Sequence, residues 1–149
     1  MKVIRNNRTN VDCTLIAAFN ASSWCKKYKT YKEIAKIAKS CGYASRKGLM
    51  DFQFVNLLKK LGLPFKRLKG IHIDDVESEI YMGKCYLITY FPFGYTDGHI
   101  VTAFLDKNGN IKVVNPDWNR ITWPELASSI YSNHMKGWMA YELPCRELL

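Results

Sequence analysis

Three residues in this sequence have the types and the chain order of a thiol-dependent hydrolytic site. Cys13 ends a polar, turn-prone run over Asn7–Asp12, and a compact apolar segment begins directly after it. A thiol at the start of a helix lies near the positive end of the helix dipole, which favours the nucleophilic thiolate. His99 opens an apolar run and Asn115 closes the next one. An imidazole can accept the proton of a thiol, and a carboxamide can hold the imidazole in the orientation that this requires.

The segment after the cysteine must form the helix that positions the thiol. Residues 14–24 combine large apolar side chains with alanines, a pattern that predicts a closely packed helix. Asp12 or Asn10 can cap its start, which is consistent with Cys13 near the first helical position. The sequence therefore predicts a cysteine at a helix N-terminus.

A hairpin must bring the histidine and the asparagine together. Residues 99–105 and 111–115 are mostly apolar or β-branched, and the Asn-Gly pair between them is typical of a tight turn. In such a hairpin His99 and Asn115 lie near the same end. Asn115 could then hold the imidazole in one tautomer and leave the other ring nitrogen to face a thiol.

The remaining periodicities predict an α+β fold. Further helices are predicted over about 31–41, 48–61, 74–82 and 122–133. Further extended segments are predicted over 65–68, 85–91 and 137–143. The predicted architecture is an N-terminal helical half packed on a C-terminal antiparallel β-sheet. Because the sequence has no repeats, linkers or low-complexity segments, we expect a single domain over residues 1–149.

The cysteines and the apolar runs limit the compartment and the kind of site. The five cysteines are odd in number, irregularly spaced and without a Cys-x-x-Cys pair, which argues against a disulfide framework and a structural zinc site. No run of about 18 apolar residues is present, and the N-terminus has no apolar signal-peptide region. We therefore expect a soluble, cytoplasmic protein, with secretion by a route that needs no cleavable signal as the alternative.

The net charge of +9 raises the question of an acidic partner. Basic side chains cluster over residues 26–39 and again over 59–69. Such patches are typical of nucleic-acid-binding proteins, but no recognition-module motif accompanies them. Solvated helix faces account for most charge of this kind, and an acidic protein surface is the leading functional alternative. Nucleic-acid binding rests on charge and is the weaker hypothesis.

The motifs of the chain resemble those of the bacteriocin-processing peptidases that cleave double-glycine leaders. The resemblance covers nearly the whole chain, through segments 7–13 with the following helix, 31–35, 47–49, 57–62, 98–101, 114–116 and 123–138. Each motif is short, and it is their order and spacing that match. Proteins of this family have a papain-like cysteine peptidase fold and usually form the N-terminal domain of an ABC exporter. The resemblance implies that fold here.

The resemblance also implies a role for each of three residues. Cys13 would be the nucleophile, and His99 would be the general base and then the general acid. Asn115 stands where the family usually has Asp before Pro, and Asn is what papain-like enzymes at large use there, so the orienting role is retained. Asp117, two residues further on, is the alternative third member. No metal or cofactor is required.

Two departures from the family pattern flank Cys13. The family's oxyanion glutamine lies six positions before the cysteine, and Asn7 occupies that position here. Asn can donate the same hydrogen bond but is one methylene shorter, and Asn6 and Asn10 are competing donors. Thr14 stands where the family typically has Gly, and its side chain would narrow the cleft and alter which substrates fit.

The leading hypothesis is a stand-alone cysteine peptidase that cleaves a peptide or amide bond through Cys13, His99 and Asn115, with Asn7 in the oxyanion hole. The expected partner is a peptide or protein substrate. One alternative is a catalytically degenerate peptide- or protein-binding module on the same fold, for which Asn7 and Thr14 leave room. The other is a basic nucleic-acid-binding protein.

Overall fold

The computed structural model describes residues 13–44, 48–92, 98–115, 120–132 and 137–149. Within these ranges the helices are α1 (Cys13–Trp24), α2 (Tyr31–Ser40), α3 (Asp51–Lys60), α4 (Ile73–Tyr81) and α5 (Trp123–Ser132). The strands are β1 (Lys66–Lys69), β2 (Cys85–Tyr90), β3 (His99–Leu105), β4 (Ile111–Val114) and β5 (Met139–Leu143). A short 3-10 turn follows over Arg146–Leu148.

The strands of the described ranges pair as one antiparallel sheet in the order β1-β5-β2-β3-β4. The predicted hairpin between β3 and β4 is present. In its turn the backbone N–H of Asp106 donates to the carbonyl of Asn110 at 2.8 Å, and Gly109 has a φ of 80°, a left-handed conformation that favours glycine. β5 lies between β1 and β2, so segments distant in sequence become neighbours in the sheet.

Helices cover both faces of the sheet. One buried cluster packs α1, α2 and α3 against side chains that include Leu87 and Phe104. A second cluster packs α4 and α5 against side chains that include Ile88 and Val101. Successive residues of β2 face opposite clusters, and both faces are buried. The strand is therefore apolar at nearly every position and lacks the alternation of a half-exposed strand.

The α+β prediction is confirmed, with two local differences. The helix predicted from about Gly48 begins at Asp51, because Gly48 has a φ of 63° and pairs with Ala44 as an isolated bridge. The strand predicted from Gly137 begins at Met139, because Gly137 has a φ of 76°, which strand geometry does not allow. Both exceptions are glycines in a left-handed conformation, which apolar periodicity does not detect.

A polar cluster joins the first turn of α3 to the sheet. The Tyr141 hydroxyl of β5 donates to Oδ1 of Asp51, and the Arg67 guanidinium of β1 donates to both carboxylate oxygens. The Tyr141 ring also packs against Phe54, with 5.0 Å between ring centroids. Burial raises the pKa of Asp51, but the hydrogen bonds from Arg67 and Tyr141 outweigh it and hold this pKa below its usual value.

We expect the Asp51 cluster to make stability depend on pH in the acid range. A lowered carboxyl pKa in the folded state means that the unfolded chain binds the proton more tightly. The stabilisation is therefore present above the unfolded pKa of about 3.9 and is lost as the pH falls through the lower folded value. Asp51→Asn should lower the urea midpoint at pH 7, and its difference from wild type should shrink towards pH 3.

Asp75→Asn is the matched control for this prediction. Asp75 is also a carboxylate in the first turn of a helix, and it is exposed, so its replacement removes the same favourable interaction with a helix dipole. Urea unfolding of both variants at pH 7 and pH 3 separates the contribution of the Asp51 cluster to stability from that of the helix dipole. Equal pH dependence in the two variants would contradict a special role for the Asp51 cluster.

Candidate active site

Cys13 is the first residue of α1, as the sequence predicts to within one position. The first turn of α1 contains no acidic side chain, so no carboxylate there competes with a thiolate for the helix dipole. The thiol is largely buried, with 6% of the residue exposed. Apart from Thr14, every residue of α1 is buried. A helix buried all round is fixed by packing on all sides, which gives the thiol a defined position.

Two contacts align α1 with β3. Near the middle of both elements, Nδ2 of Asn20 donates to Oγ1 of Thr102 at 3.5 Å. Further along both elements, the rings of Trp24 and Phe104 lie 5.9 Å apart, centroid to centroid. Because later residues of the helix meet later residues of the strand, α1 and β3 run in the same direction.

This alignment brings the starts of α1 and β3 to the same end of the sheet. From Trp24 back to Cys13 a helix descends about 16 Å, at about 1.5 Å per residue. From Phe104 back to His99 a strand also descends about 16 Å, at about 3.3 Å per residue. The helix start and the strand start are therefore level.

His99 and Asn115 form a buried hydrogen-bonded pair. Nε2 of His99 lies 2.6 Å from Oδ1 of Asn115, and the two residues are 2% and 5% exposed. A carboxamide oxygen is only an acceptor, so Nε2 donates and the second ring nitrogen, Nδ1, is the basic one. Tyr90, the partner of His99 across β2 and β3, packs edge-on at 6.1 Å between ring centroids. The imidazole is thus held in one orientation and one tautomer.

The strand register accounts for the His99–Asn115 pair. Ala103 pairs with Val113 across the hairpin, and alternation from these two positions puts His99 and Asn115 on one face of the sheet. A slip of one residue would move Asn115 to the other face. The helix α1 covers that other face, so a thiol at its start would reach the imidazole around the end of the sheet.

The other predicted site residues are divided between the described and the undescribed parts of the chain. Asn7, with its competitors Asn6 and Asn10, and Asp117 lie outside the described residues, so the oxyanion donor and the alternative third member stay predictions. Thr14 is described: its Oγ1 is buried and has no hydrogen-bond partner among the described residues. The contact of Tyr90 with the imidazole was not predicted. The available signal was an aromatic residue at the end of the strand that precedes the loop leading to His99.

Two of the remaining cysteines have environments that disfavour reactivity. Burial raises the pKa of Cys25 to about 11 and raises the pKa of Cys85 well above its ordinary value, so both stay protonated at neutral pH. Cys41 and Cys145 are half-buried. Of the five cysteines, all of which the structure describes, Cys13 is the one at the N-terminus of an α-helix.

The described residues contain no group of three or more His, Cys, Asp or Glu side chains that could hold a metal ion. In the same part of the chain, no helix is long and apolar enough to cross a membrane.

Comparison with known proteins shows the fold. No protein-family model matches the chain, and no curated protein matches it. Among solved structures, the chain is similar to the crystal structure of the peptidase domain of Streptococcus ComA, a bifunctional ABC transporter involved in a quorum sensing pathway. The TM-score is 0.64 over 97% of this chain and 99% of that one, at 11% identity. The predicted papain-like, α+β cysteine peptidase fold is confirmed, and identity this low shows the fold alone.

Proposed function

We propose that residues 1–149 form a single papain-like domain that hydrolyses a peptide or amide bond, with Cys13 as nucleophile, His99 as general base and acid, and Asn115 as the orienting residue. The observation that supports this most directly is the buried 2.6 Å hydrogen bond between His99 and Asn115. It lies at the end of the sheet where α1 begins with Cys13, on a fold that a peptidase domain shares.

In the proposed reaction the Cys13 thiol gives its proton to Nδ1 of His99, and the sulfur attacks the carbonyl carbon of the substrate. The backbone N–H of Cys13 and the side-chain amide of Asn7 would bind the oxyanion. The intermediate collapses to a thioester as Nδ1 protonates the leaving amine. Water, deprotonated by His99, then cleaves the thioester, releases the carboxylic acid and restores the thiol. Asn115 accepts from Nε2–H throughout and keeps Nδ1 available.

Alkylation at neutral pH tests this proposal. With iodoacetamide at pH 7 we expect Cys13 to react first, because the helix dipole and the His99 imidazole both favour its thiolate. His99→Ala should abolish that preference. Cys41 and Cys145 are internal controls: they are half-buried and Cys13 is buried, so exposure by itself predicts the opposite order. Peptide mass spectrometry over time gives the rate at each cysteine, and uniform slow labelling of all five would contradict the proposal.

A peptide-binding module without hydrolytic activity is the second candidate function. The buried Thr14 hydroxyl beside Cys13 favours it, because a branched side chain there leaves less room for a scissile bond. In either case we propose a peptide or protein as the partner.

We propose the cytoplasm as the compartment, since Cys25, Cys41, Cys85 and Cys145 are all free thiols, which a reducing compartment maintains.

A further inference from the structure

A cavity lies at the opposite end of α1 from Cys13. It has a volume of about 570 Å³ and its apolar wall is formed by Trp24, Phe104 and Leu105. Charged and polar side chains complete the lining: Asp106, Lys107, Asn108, Lys112, Arg146 and Glu147. Since Trp24 ends α1, the cavity is about 16 Å along the helix from the thiol.

Arg146 is a positioned cation in this cavity. Its Cζ lies 5.9 Å from the centroid of the Trp24 ring, and the indole N–H of Trp24 is held by the Pro144 carbonyl at 2.9 Å. One terminal nitrogen, Nη2, donates to the Tyr28 hydroxyl at 3.5 Å. The Nε atom is buried and has no hydrogen-bond partner among the described residues.

Arg146 makes no ion pair with an acid among the described residues. The ion pairs among the described residues involve Arg67 and Lys84 as cations, and none involves Arg146. Asp106, on the same wall, is already engaged, because its Oδ1 accepts from the backbone N–H groups of Asn108 and Asn110. The guanidinium is therefore half-buried and makes no ion pair among the described residues, and a carboxylate from outside the chain would supply one.

We propose that this cavity binds an acidic segment of a polypeptide: a carboxylate side chain on Arg146, with a neighbouring apolar side chain on Phe104 and Leu105. A guanidinium offers paired N–H donors that match the two oxygens of a carboxylate. Lys107 and Lys112 add positive charge at the rim, where both are exposed. The apolar wall provides a contact that an isolated inorganic anion would not use.

The same geometry disfavours nucleic acid as the ligand. Binding of single-stranded nucleic acid relies on open aromatic faces on which bases stack. Here Arg146 covers the Trp24 ring, and Trp24 is only 6% exposed. Asp106 and Glu147 line the cavity beside the cations and would repel a continuous run of phosphates more than a single carboxylate. The site suits one carboxylate with apolar neighbours.

The separation of this cavity from Cys13 sets a minimum length for a substrate that occupies both, which rests on the proposed peptidase function. An extended chain advances about 3.3 Å per residue, so a peptide that reaches from this cavity to Cys13 needs at least about five residues between its acidic side chain and the scissile bond. The cavity would then act as a remote anchor that selects substrates carrying an acid at such a distance.

Peptide binding to the Cys13→Ala protein tests the proposal without dependence on catalysis. The probes are an N-acetylated, C-amidated hexapeptide with one Glu beside a Leu, and the same peptide with Gln in place of Glu. The readout is the NMR signal of the Trp24 indole N–H in a titration. We expect a saturable shift with the Glu peptide, weakened by added salt, and no saturable shift with the Gln peptide.

Substitutions in the 3-10 turn over Arg146–Leu148 test whether the Glu peptide binds at Arg146. Arg146→Gln should weaken binding of the Glu peptide by tenfold or more, Arg146→Lys by less, and Glu147→Gln should strengthen it. A thermal melt checks that each variant folds. If Arg146→Gln does not fold, the substitute test is the double variant Lys107→Gln and Lys112→Gln, which should weaken binding about threefold. Equal binding of the Gln peptide, an unchanged affinity in Arg146→Gln, or a Trp24 shift produced by oligothymidine and not by the Glu peptide would each overturn the proposal.

Discussion

Replacing Cys13 with alanine is expected to abolish hydrolysis and to leave the fold in place. The substitution removes the proposed nucleophile, and loss of the nucleophile from a catalytic triad lowers kcat by at least about 10³-fold. The structural cost is small, about 1 kcal/mol, because alanine keeps the Cβ and the helix propensity of a position that is already buried. Burst kinetics with p-nitrophenyl acetate measure the loss, since acylation of the thiol releases nitrophenolate without demanding a particular peptide.

Cys41→Ala is the matched control for the loss of a thiol. Cys41 is half-buried and caps the C-terminus of α2, far in sequence from the proposed site, so its variant should retain the wild-type burst. A burst that survives in Cys13→Ala would contradict the nucleophile assignment. If the wild type shows no burst but binds peptides as well as Cys13→Ala does, the second candidate function replaces the first.

Asn115→Leu is expected to produce the second-largest effect, a decrease in kcat of about 10²-fold with little change in KM. Leucine has a similar volume but no hydrogen-bond acceptor. The buried Nε2–H of His99 would therefore lose its bond to Oδ1 of Asn115, which is 2.6 Å long in the wild type. The imidazole would then favour the tautomer with the proton on Nδ1, which cannot accept a proton from the thiol. The measurement is steady-state kinetics on a fluorogenic peptide library, with a thermal melt of each variant.

Asn115→Asp separates orientation from simple packing. A carboxylate still accepts from Nε2–H, so kcat should be largely retained. Its negative charge favours the imidazolium, so the limb of the kcat/KM profile that reports the His99 pKa should move to higher pH. A structural role would not move that limb. If Asn115→Leu retains full activity, the orienting role passes to the alternative, and Asp117→Asn becomes the decisive variant.

The elements that local sequence patterns determine were predictable. β3 has its predicted bounds, because an apolar β-branched run ends at an Asp-Lys-Asn-Gly turn, and the hairpin then brings His99 and Asn115 together without long-range information. The placement of β5 between β1 and β2 was not predictable. Pairings of that kind depend on which buried faces fit together, and no local periodicity encodes them.

The candidate site divides in the same way. The histidine and asparagine are 16 residues apart and follow from hairpin register. The alignment of α1 with β3 depends on a contact between Asn20 and Thr102, 82 residues apart, and on helix packing that the sequence leaves undetermined. The contact of Arg146 with the Trp24 ring was likewise not predictable, because the residues lie far apart in sequence and neither belongs to a local motif that indicates the contact.

The bond between Trp24 and Pro144 spans 120 residues and ties the last residue of α1 to the segment after β5. During synthesis, a chain whose residues up to Pro144 have not yet left the ribosome lacks both this anchor and the strand that joins β1 to β2. Contacts of such sequence separation form late, because loop closure costs more entropy than local pairing. The His99–Asn115 pair can assemble first, and the proposed approach of the Cys13 thiol to that pair would be complete only once α1 is anchored at both ends. We therefore expect a nascent chain to carry Cys13 in an unreactive state, with thiol reactivity itself marking the completion of folding.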